Sequence, residues 1–204
     1  MATVAEVDIA NSCFRKIGTK RKIGSFDEDS PAARFAADRY EALRDDALRS
    51  HAWNFAMKRV KLAQNSTGPT FPSAGNYYAF PSDWIRTIGV YDNESGVGVM
   101  DYREENGNIL ALREEVWMVY VSQVTDPNKM TPDFREAVAY MMAVEAAIDL
   151  VGSRSLSETM EDRLEQKILQ AKSTDAISSG PRFLPQGTWV TRRFSGINQT
   201  VSTT

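Results

Sequence analysis

The side chains best suited to acid–base chemistry in this sequence are four glutamates, which occur as the neighbouring pairs Glu104-Glu105 and Glu114-Glu115. A glycoside hydrolase needs two carboxylates that face each other across a cleft, about 5 to 9 Å apart. Adjacent residues of a strand point to opposite faces of a sheet, so neither pair forms such a site alone. A site assembled from both pairs is an alternative, and it would make the protein a cell-wall (peptidoglycan) hydrolase. The favoured interpretation is that these glutamates are solvated charges at strand edges.

The sequence has one cysteine, Cys13, and one histidine, His51, which are too few for a metal cluster of Cys and His ligands. Cys13 lies on the predicted inward face of the first helix, which indicates a small buried apolar group. His51 falls where the second helix is predicted to end, and a negative helix terminus favours an imidazole there. Glycine-rich phosphate-binding motifs and the Gly-x-Ser-x-Gly elbow are absent. We therefore predict no catalytic residue, no metal and no cofactor, in a protein that is not an enzyme.

A basic loop with the sequence KIGTKRKIGS contains Lys20, Arg21 and Lys22. Such a loop can contact phosphate in a salt-sensitive way. No aromatic residues are interleaved with these charges to stack on bases. The favoured interpretation is a solvated loop or a contact with an acidic protein surface, with non-specific contact to DNA as the alternative.

The C-terminal segment GPRFLPQGTWVTRRFSGINQTVSTT, residues 180–204, has three arginines and no acidic side chain, although the whole chain has a net charge of −3. Trp, Tyr and Arg dominate the energetics of protein interfaces. We therefore predict that this segment is a partner-binding arm; the alternative is that it folds back over its own helices. Its predicted contact residues are Phe183, Leu184, Trp189, Val190, Arg192, Arg193 and Phe194.

The composition is that of an ordinary globular protein of 204 residues, with 42% hydrophobic and 25% charged residues. This length suits one domain with an appended lobe. No apolar run approaches the roughly 20 residues needed to span a bilayer. The N-terminus lacks the features of a secretory signal. We expect a soluble protein that is made in the cytoplasm and does not contact a membrane.

Apolar residues spaced three and four apart predict four helices. The first covers residues 4–17, and the second covers residues 31–50, with Ser30 or Asp29 as its cap. The third begins after Thr131, and a capping box, Ser155-Leu156-Ser157-Glu158, predicts the start of the fourth. The predicted core stripe of the third helix comprises Phe134, Ala137, Val138, Met141, Ile148 and Val151.

Between the second and third helices, five short segments predict strands because they are rich in β-branched and aromatic residues: NYYAF, IRTIGVYD, VGVMDYR, NILAL and VWMVYVSQV. The sequence NGN at 106–108 predicts a hairpin turn. The predicted fold class is α+β, a four-helix bundle with an antiparallel β lobe inserted between its second and third helices. Residues 1–52 and 130–178 form the bundle, 53–129 the inserted β domain, and 179–204 an extended C-terminal arm.

Several segments together resemble the head-to-tail adaptors of short-tailed phages, the family of tail tubular protein A and tail accessory factors. The similar segments stand in the same order along the chain. They are ANSCFRKIG, IGSFDEDSPAAR, the turn Trp53-Asn54-Phe55-Ala56 followed by Arg59 and Leu62, FPSDWIR, and VSQVTDPNKMTPDFREAVAYMMAVEAA. The resemblance covers about three quarters of the chain, and its motifs are structural rather than catalytic.

The resemblance implies a virion structural protein at the head–tail junction, made in the cytoplasm of a bacterial host. Proteins of this family form a ring, generally of twelve subunits, that docks on the portal protein and extends the DNA channel towards the tail. The ring also seats tail nozzle or tail fibre proteins, and genomic DNA passes through it without sequence reading. In this chain the implied portal- or neighbour-binding role falls on the arm residues given above, and Lys20, Arg21 and Lys22 are candidate contacts to DNA or to an interface. The runner-up function is a peptidoglycan hydrolase associated with the virion tail.

Overall fold

The computed structural model describes residues 3–69, 71 and 75–178. This part of the chain is mixed α/β, with four helices and two small antiparallel sheets of three strands each. The helices are α1 (Val4–Lys16), α2 (Pro31–Ser50), α3 (Pro132–Asp149) and α4 (Arg154–Ser178). The strands are β1 (Met57–Lys61), β2 (Asn76–Ala79), β3 (Trp84–Tyr91), β4 (Arg103–Glu105), β5 (Asn108–Ala111) and β6 (Trp117–Ser122).

Two of the helices begin at the residues that the sequence predicts. The hydroxyl of Ser30 accepts a hydrogen bond from the N–H of Ala33 at the start of α2, and Pro31 is the first helical residue. Thr131 caps α3 in the same way, again with a proline as the first residue. Each cap satisfies a backbone donor that the helix itself leaves unpaired, and a proline loses nothing there because its missing N–H has no helical partner.

The start of α4 differs from the prediction. The helix begins at Arg154, and the hydroxyl of Ser153 accepts a hydrogen bond from the N–H of Leu156 over 3.3 Å. The predicted capping box that begins at Ser155 is therefore wrong by two residues. Ser157, a member of the predicted box, is buried, and its hydroxyl donates to the backbone carbonyl of Val144 over 2.9 Å. Its hydroxyl joins α4 to α3 and takes no part in capping the start of α4.

Helix α3 lies against each of the other three helices. Its buried side is rich in alanine, which lets neighbouring backbones approach closely. Three ion pairs also join α3 to its neighbours: Lys16–Glu136 to α1, Arg39–Glu145 to α2, and Lys167–Asp133 to α4. Partly exposed pairs of this kind contribute about 0–1 kcal/mol each, so the burial of apolar side chains is the larger stabilising term.

The predicted core stripe of α3 is correct at its beginning and wrong at its end. Phe134, Ala137 and Val138 are buried, whereas Ile148 and Val151 are 54% and 44% exposed. The helix ends at Asp149, and the chain then turns through Gly152 at a φ of 69°. Val151 lies beyond the last helical residue, so the helical spacing from which the stripe was extrapolated does not extend to it.

The first sheet has the strand order β1-β6-β3, so β6 is its central strand. Met57 lies opposite Val121 at one end of this sheet, and Lys61 lies opposite Trp117 at the other. Trp117 also pairs with Tyr91 of β3. The second sheet has the order β2-β5-β4.

The predicted hairpin at NGN is confirmed, and one predicted strand is wrong. Asn106 and Gly107 have φ angles of 49° and 69° and join β4 to β5, as a tight hairpin requires. The segment VGVMDYR does not form a strand along its length. Gly96 and Gly98 have positive φ angles, and Val99 makes only an isolated bridge to Tyr91. Glycines in this conformation interrupt the extended backbone, so a strand resumes only at Arg103.

Buried apolar residues form two clusters. One is built mainly from the helices and also includes Trp53, Ala56 and Val121. The other lies between the strands and includes Met118 and Tyr120. Strand β6 therefore contributes side chains to both clusters, because successive residues of a strand face opposite sides. The predicted domain boundaries near 53 and 130 stay a prediction.

Candidate functional site

The turn Trp53-Asn54-Phe55-Ala56 connects α2 to β1 and lies at the junction of helices and strands. Trp53 is 1% exposed, and its indole N–H donates to the backbone carbonyl of Ala47 over 2.9 Å. Its ring contacts Phe134 edge-on, with 5.1 Å between the ring centroids. Burying an aromatic side chain of this size stabilises the fold by a few kcal/mol, so this turn is a fixed point of the structure.

The C-terminal end of helix α4 lies beside this turn. The buried carboxylate of Asp175 accepts hydrogen bonds from the backbone N–H of Asn54, over 3.1 Å to one oxygen and 3.3 Å to the other. The side-chain amide of Asn54 donates to the backbone carbonyl of Asp175 over 2.6 Å. The Nε2 atom of His51 lies 3.4 Å from the carboxylate. We call this set, Asp175 with Asn54 and His51, the α4 anchor.

The α4 anchor holds the C-terminal end of α4 in place. Asp175 lies three residues before the end of α4 at Ser178. A buried carboxylate that accepts several hydrogen bonds holds its helix in one position, because breaking them leaves buried polar groups unsatisfied. The last turn of α4 therefore lies beside the Trp53-Asn54-Phe55-Ala56 turn.

The predicted position of His51 at the end of α2 is confirmed, since His51 directly follows the last helical residue. The contact of His51 with Asp175 was not predicted. A signal was present, because Asp175 follows Ala171 by four residues and so continues the apolar face of α4. A carboxylate on an apolar helix face is buried only when it has partners.

The three basic residues of the loop between α1 and α2, Lys20, Arg21 and Lys22, are exposed. Asn11 holds the end of this loop, since its amide donates to the carbonyl of Ile23 and its oxygen accepts from the N–H of Ile23. The side chains of Lys20 and Arg21 line a hollow of about 510 Å³ beside the first turn of α2. The hydrogen bonds to Asn11 fix the backbone at the end of the loop, and the charged side chains of the loop face solvent.

Unlike the exposed loop residues, Lys16 at the end of α1 is engaged within the fold and is not available to an external phosphate. Its ammonium group lies 2.6 Å from a carboxylate oxygen of Glu136 and 4.1 Å from the centre of the Tyr140 ring. Burial alone would raise the pKa of Glu136, but the hydrogen bonds from Lys16 and Ser12 outweigh it and lower that pKa below its ordinary value. Lys16 therefore serves the contact between α1 and α3.

The four glutamates of the pairs Glu104-Glu105 and Glu114-Glu115 are all exposed. Glu105 on β4 accepts a hydrogen bond from the hydroxyl of Tyr77 over 2.8 Å, and Glu115 pairs with Lys61. These contacts lie along the surface of the sheets and leave the carboxylates in water. Neither contact joins the Glu104-Glu105 pair to the Glu114-Glu115 pair.

Cys13 is fully buried in α1, as predicted. Burial raises the pKa of its thiol to about 12. The thiolate is the nucleophilic form, so this thiol is unreactive near neutral pH.

The β region carries a second hollow, of about 560 Å³, beyond the end of β3. Val97, Val99 and Leu112 line it with largely exposed apolar side chains. Asp92, Asp101 and Arg113 supply its charged groups. Exposed apolar residues that lie together in this way are typical of binding surfaces.

The predicted arm contacts, Phe183, Leu184, Trp189, Val190, Arg192, Arg193 and Phe194, lie outside the described residues. Within the described part of the chain, no group of three or more His, Cys, Asp or Glu residues is placed to hold a metal ion. None of the described helices has the length and apolar character needed to cross a bilayer. No family model matches the sequence, and no curated protein matches it.

Proposed function

We propose that this chain is a phage virion structural protein, a head-to-tail adaptor whose subunits form a ring on the portal protein. The observation that carries the proposal is the α4 anchor. It ties the Trp53-Asn54-Phe55-Ala56 turn, which is a central part of the resemblance, to the helix from which segment 180–204 departs. An arm that begins at a rigid point can be presented in the same direction by every subunit of a ring.

The finer arrangement that we propose is one four-helix bundle, with the two sheets as an insertion between α2 and α3. The contacts of α3 with α1, α2 and α4 support this arrangement. In a ring, the bundles would contact each other laterally and bury area that a single subunit exposes. The ring would contain about twelve subunits by its resemblance to the adaptor family, and it would extend the DNA channel from the portal to the tail.

Segment 180–204 is proposed to bind the portal or a neighbouring subunit through its aromatic and arginine side chains. Holding the segment on its partner costs conformational entropy, and Pro181 and Pro185 would reduce that cost. Tail nozzle or tail fibre proteins would bind the opposite end of the ring. The exposed loop residues Lys20, Arg21 and Lys22 are candidates for weak contacts to the passing DNA or to an adjacent subunit.

The test is co-sedimentation of the protein with assembled portal rings. A variant that lacks residues 180–204 is expected to fold but to lose at least ten-fold in portal occupancy. A matched control, the full chain with Leu169→Ser on the exposed side of α4, should bind like the unaltered protein. Full occupancy of the portal by the truncated variant would overturn the role of the arm.

A further inference from the structure

The hollow beyond the end of β3 combines exposed apolar side chains with more acidic than basic residues. Val97, Val99 and Leu112 are 72%, 69% and 76% exposed. A volume of about 560 Å³ is within the range of roughly 300–1,000 Å³ that is typical of binding pockets. Its lining contains Asp92, Asp101 and Arg113, with 3.7 Å between Arg113 and Asp92, and the exposed residues Glu94 and Glu114 lie close to this lining in the sequence.

Segment 180–204 has the complementary composition. Its side chains carry three positive charges and no negative charge, and its apolar residues include Trp189 and Val190. Complementary charge guides association and selects a partner, while the apolar side chains supply most of the binding energy. Both properties of the hollow are therefore matched by one segment of the same chain.

The tether between the two is long enough. The α4 anchor holds the helix at Asn54, three residues before β1, whereas the hollow lies beyond the far end of the same sheet, where Tyr91 pairs with Trp117. Strand β1 has five residues and spans about 15 Å, and the three residues that precede it add at most about 10 Å. The chain from residue 179 to Trp189 can extend to about 35 Å. A tether of this length gives an effective concentration in the millimolar range, which favours binding within one chain.

We propose that the hollow of Val97, Val99 and Leu112 binds the chain's own segment 180–204 before the subunit assembles. Trp189 and its apolar neighbours occupy the hollow, and the arginines lie against the surrounding carboxylates. This contact goes beyond the proposed adaptor function, because it concerns the free subunit and involves no portal. A portal that binds the same segment has to compete with the hollow.

The basic loop of a second copy is a weaker candidate for the same hollow. It has the right charge, but the apolar residue adjacent to Lys22 is Ile23, which is only 4% exposed. Both backbone polar groups of Ile23 are bonded to Asn11, so the loop cannot present this side chain without breaking those bonds. The basic loop would therefore bring positive charge to the hollow but no apolar side chain.

The test is disulfide formation in the full-length chain. One cysteine replaces Leu112 in the hollow, and a second replaces Thr188 or Thr191, on either side of Trp189. The matched control carries the second cysteine with Leu169→Cys, because Leu169 is similarly exposed, at 65%, on α4. Cys13 stays in place, because it is buried and its pKa is raised to about 12.

Under a mild oxidant at low protein concentration, at least one Leu112→Cys pair is expected to form a disulfide within one chain at least ten-fold faster than its Leu169→Cys control. Adding Asp101→Lys should slow it several-fold, whereas Asp162→Lys on the exposed side of α4 should not. Equal rates at Leu112→Cys and Leu169→Cys, or disulfides that form mainly between two chains, would overturn the proposal. Because no portal is present, that result would leave the adaptor proposal standing.

Discussion

The backbone N–H of Asn54 donates to both carboxylate oxygens of Asp175, which lies 121 residues later in the chain. This contact joins the turn between α2 and β1 to the last turn of α4. Burying this carboxylate is costly unless it has several hydrogen-bond donors. The contact therefore holds the last turn of α4 against the turn that precedes β1.

The α4 anchor should contribute measurably to stability. Asp175→Ala leaves the N–H of Asn54 without its carboxylate partner, and we expect a loss of about 1–3 kcal/mol in the free energy of unfolding. Asp175→Asn, which keeps the shape and one acceptor, should cost less. Urea unfolding followed by circular dichroism measures both. Asp162→Ala, at an exposed position of the same helix, should change stability by less than about 0.5 kcal/mol. An equal loss in both alanine variants would contradict the role of the anchor.

Trp53 should be among the most sensitive positions of the core. It is 1% exposed and packs against Phe134, so Trp53→Ala is expected to cost about 3–5 kcal/mol, since it removes buried contacts and leaves a cavity. The midpoint of urea unfolding, at an unchanged slope, reports this loss. Phe71→Ala is the control, because Phe71 is 75% exposed and its truncation should be nearly neutral. A midpoint for Trp53→Ala within error of the control would show that the indole is not a core residue.

The hairpin between β4 and β5 should require glycine at position 107. Gly107 has a φ of 69°, and a β-carbon there would meet nothing within 4 Å, so Gly107→Ala tests backbone conformation alone. We expect a loss of about 1–2 kcal/mol. Gly68→Ala is matched, since Gly68 also has open space but no positive φ, and it should be neutral or slightly stabilising. Thermal unfolding of the two variants gives the comparison, and equal melting temperatures would show that the turn tolerates alanine.

Glu136 should make the stability depend on acid pH. Its pKa is lowered in the folded state, so ionised Glu136 stabilises the fold at a pH above its ordinary pKa of 4.5. This contribution is lost as the pH falls through the lowered pKa and the carboxyl group takes up a proton. Glu136→Gln should therefore be less stable than the unaltered chain at pH 7, by up to about 1 kcal/mol, and this difference should shrink at pH 3.

Melting temperatures at the two pH values measure this effect. Lys16→Met, which removes the main partner, should reproduce the loss at neutral pH, and the double variant should show that the two losses are not additive. A stability difference for Glu136→Gln that stays constant from pH 7 to pH 3 would refute the proposed linkage.

The local structure was predicted best where a short motif suffices. Ser30 and Pro31 at the start of α2, Thr131 and Pro132 at the start of α3, and the hairpin at Asn106-Gly107 were all predicted correctly. In each case the outcome depends on hydrogen bonds or φ angles within three or four residues. The predicted strand at 97–103 is wrong because Gly98 within it, and Gly96 just before it, have positive φ angles that interrupt an extended chain.

The candidate sites divide in the same way. The exposure of Lys20, Arg21 and Lys22 follows from their charge and from the turn residues around them, and the burial of Cys13 follows from helical spacing. The ion-pair partners of His51, Lys16 and Glu115 could not be predicted. Each partner lies more than 50 residues away along the chain, on a different element. The acidic hollow with Val97 and Leu112 was missed for the same reason, since it is formed by two separate loops.

By itself, the sequence determined the four helices, most of the strands and the unusual composition of segment 180–204. These features depend on periodicity, on caps and on residue types, which are properties of neighbouring residues. Only the tertiary structure decided that Asp175 binds Asn54, that β6 contributes to both apolar clusters, and that exposed apolar residues gather in an acidic hollow. Contacts between distant segments depend on how the whole chain packs, because a buried polar group is stable only where the rest of the fold brings it a partner.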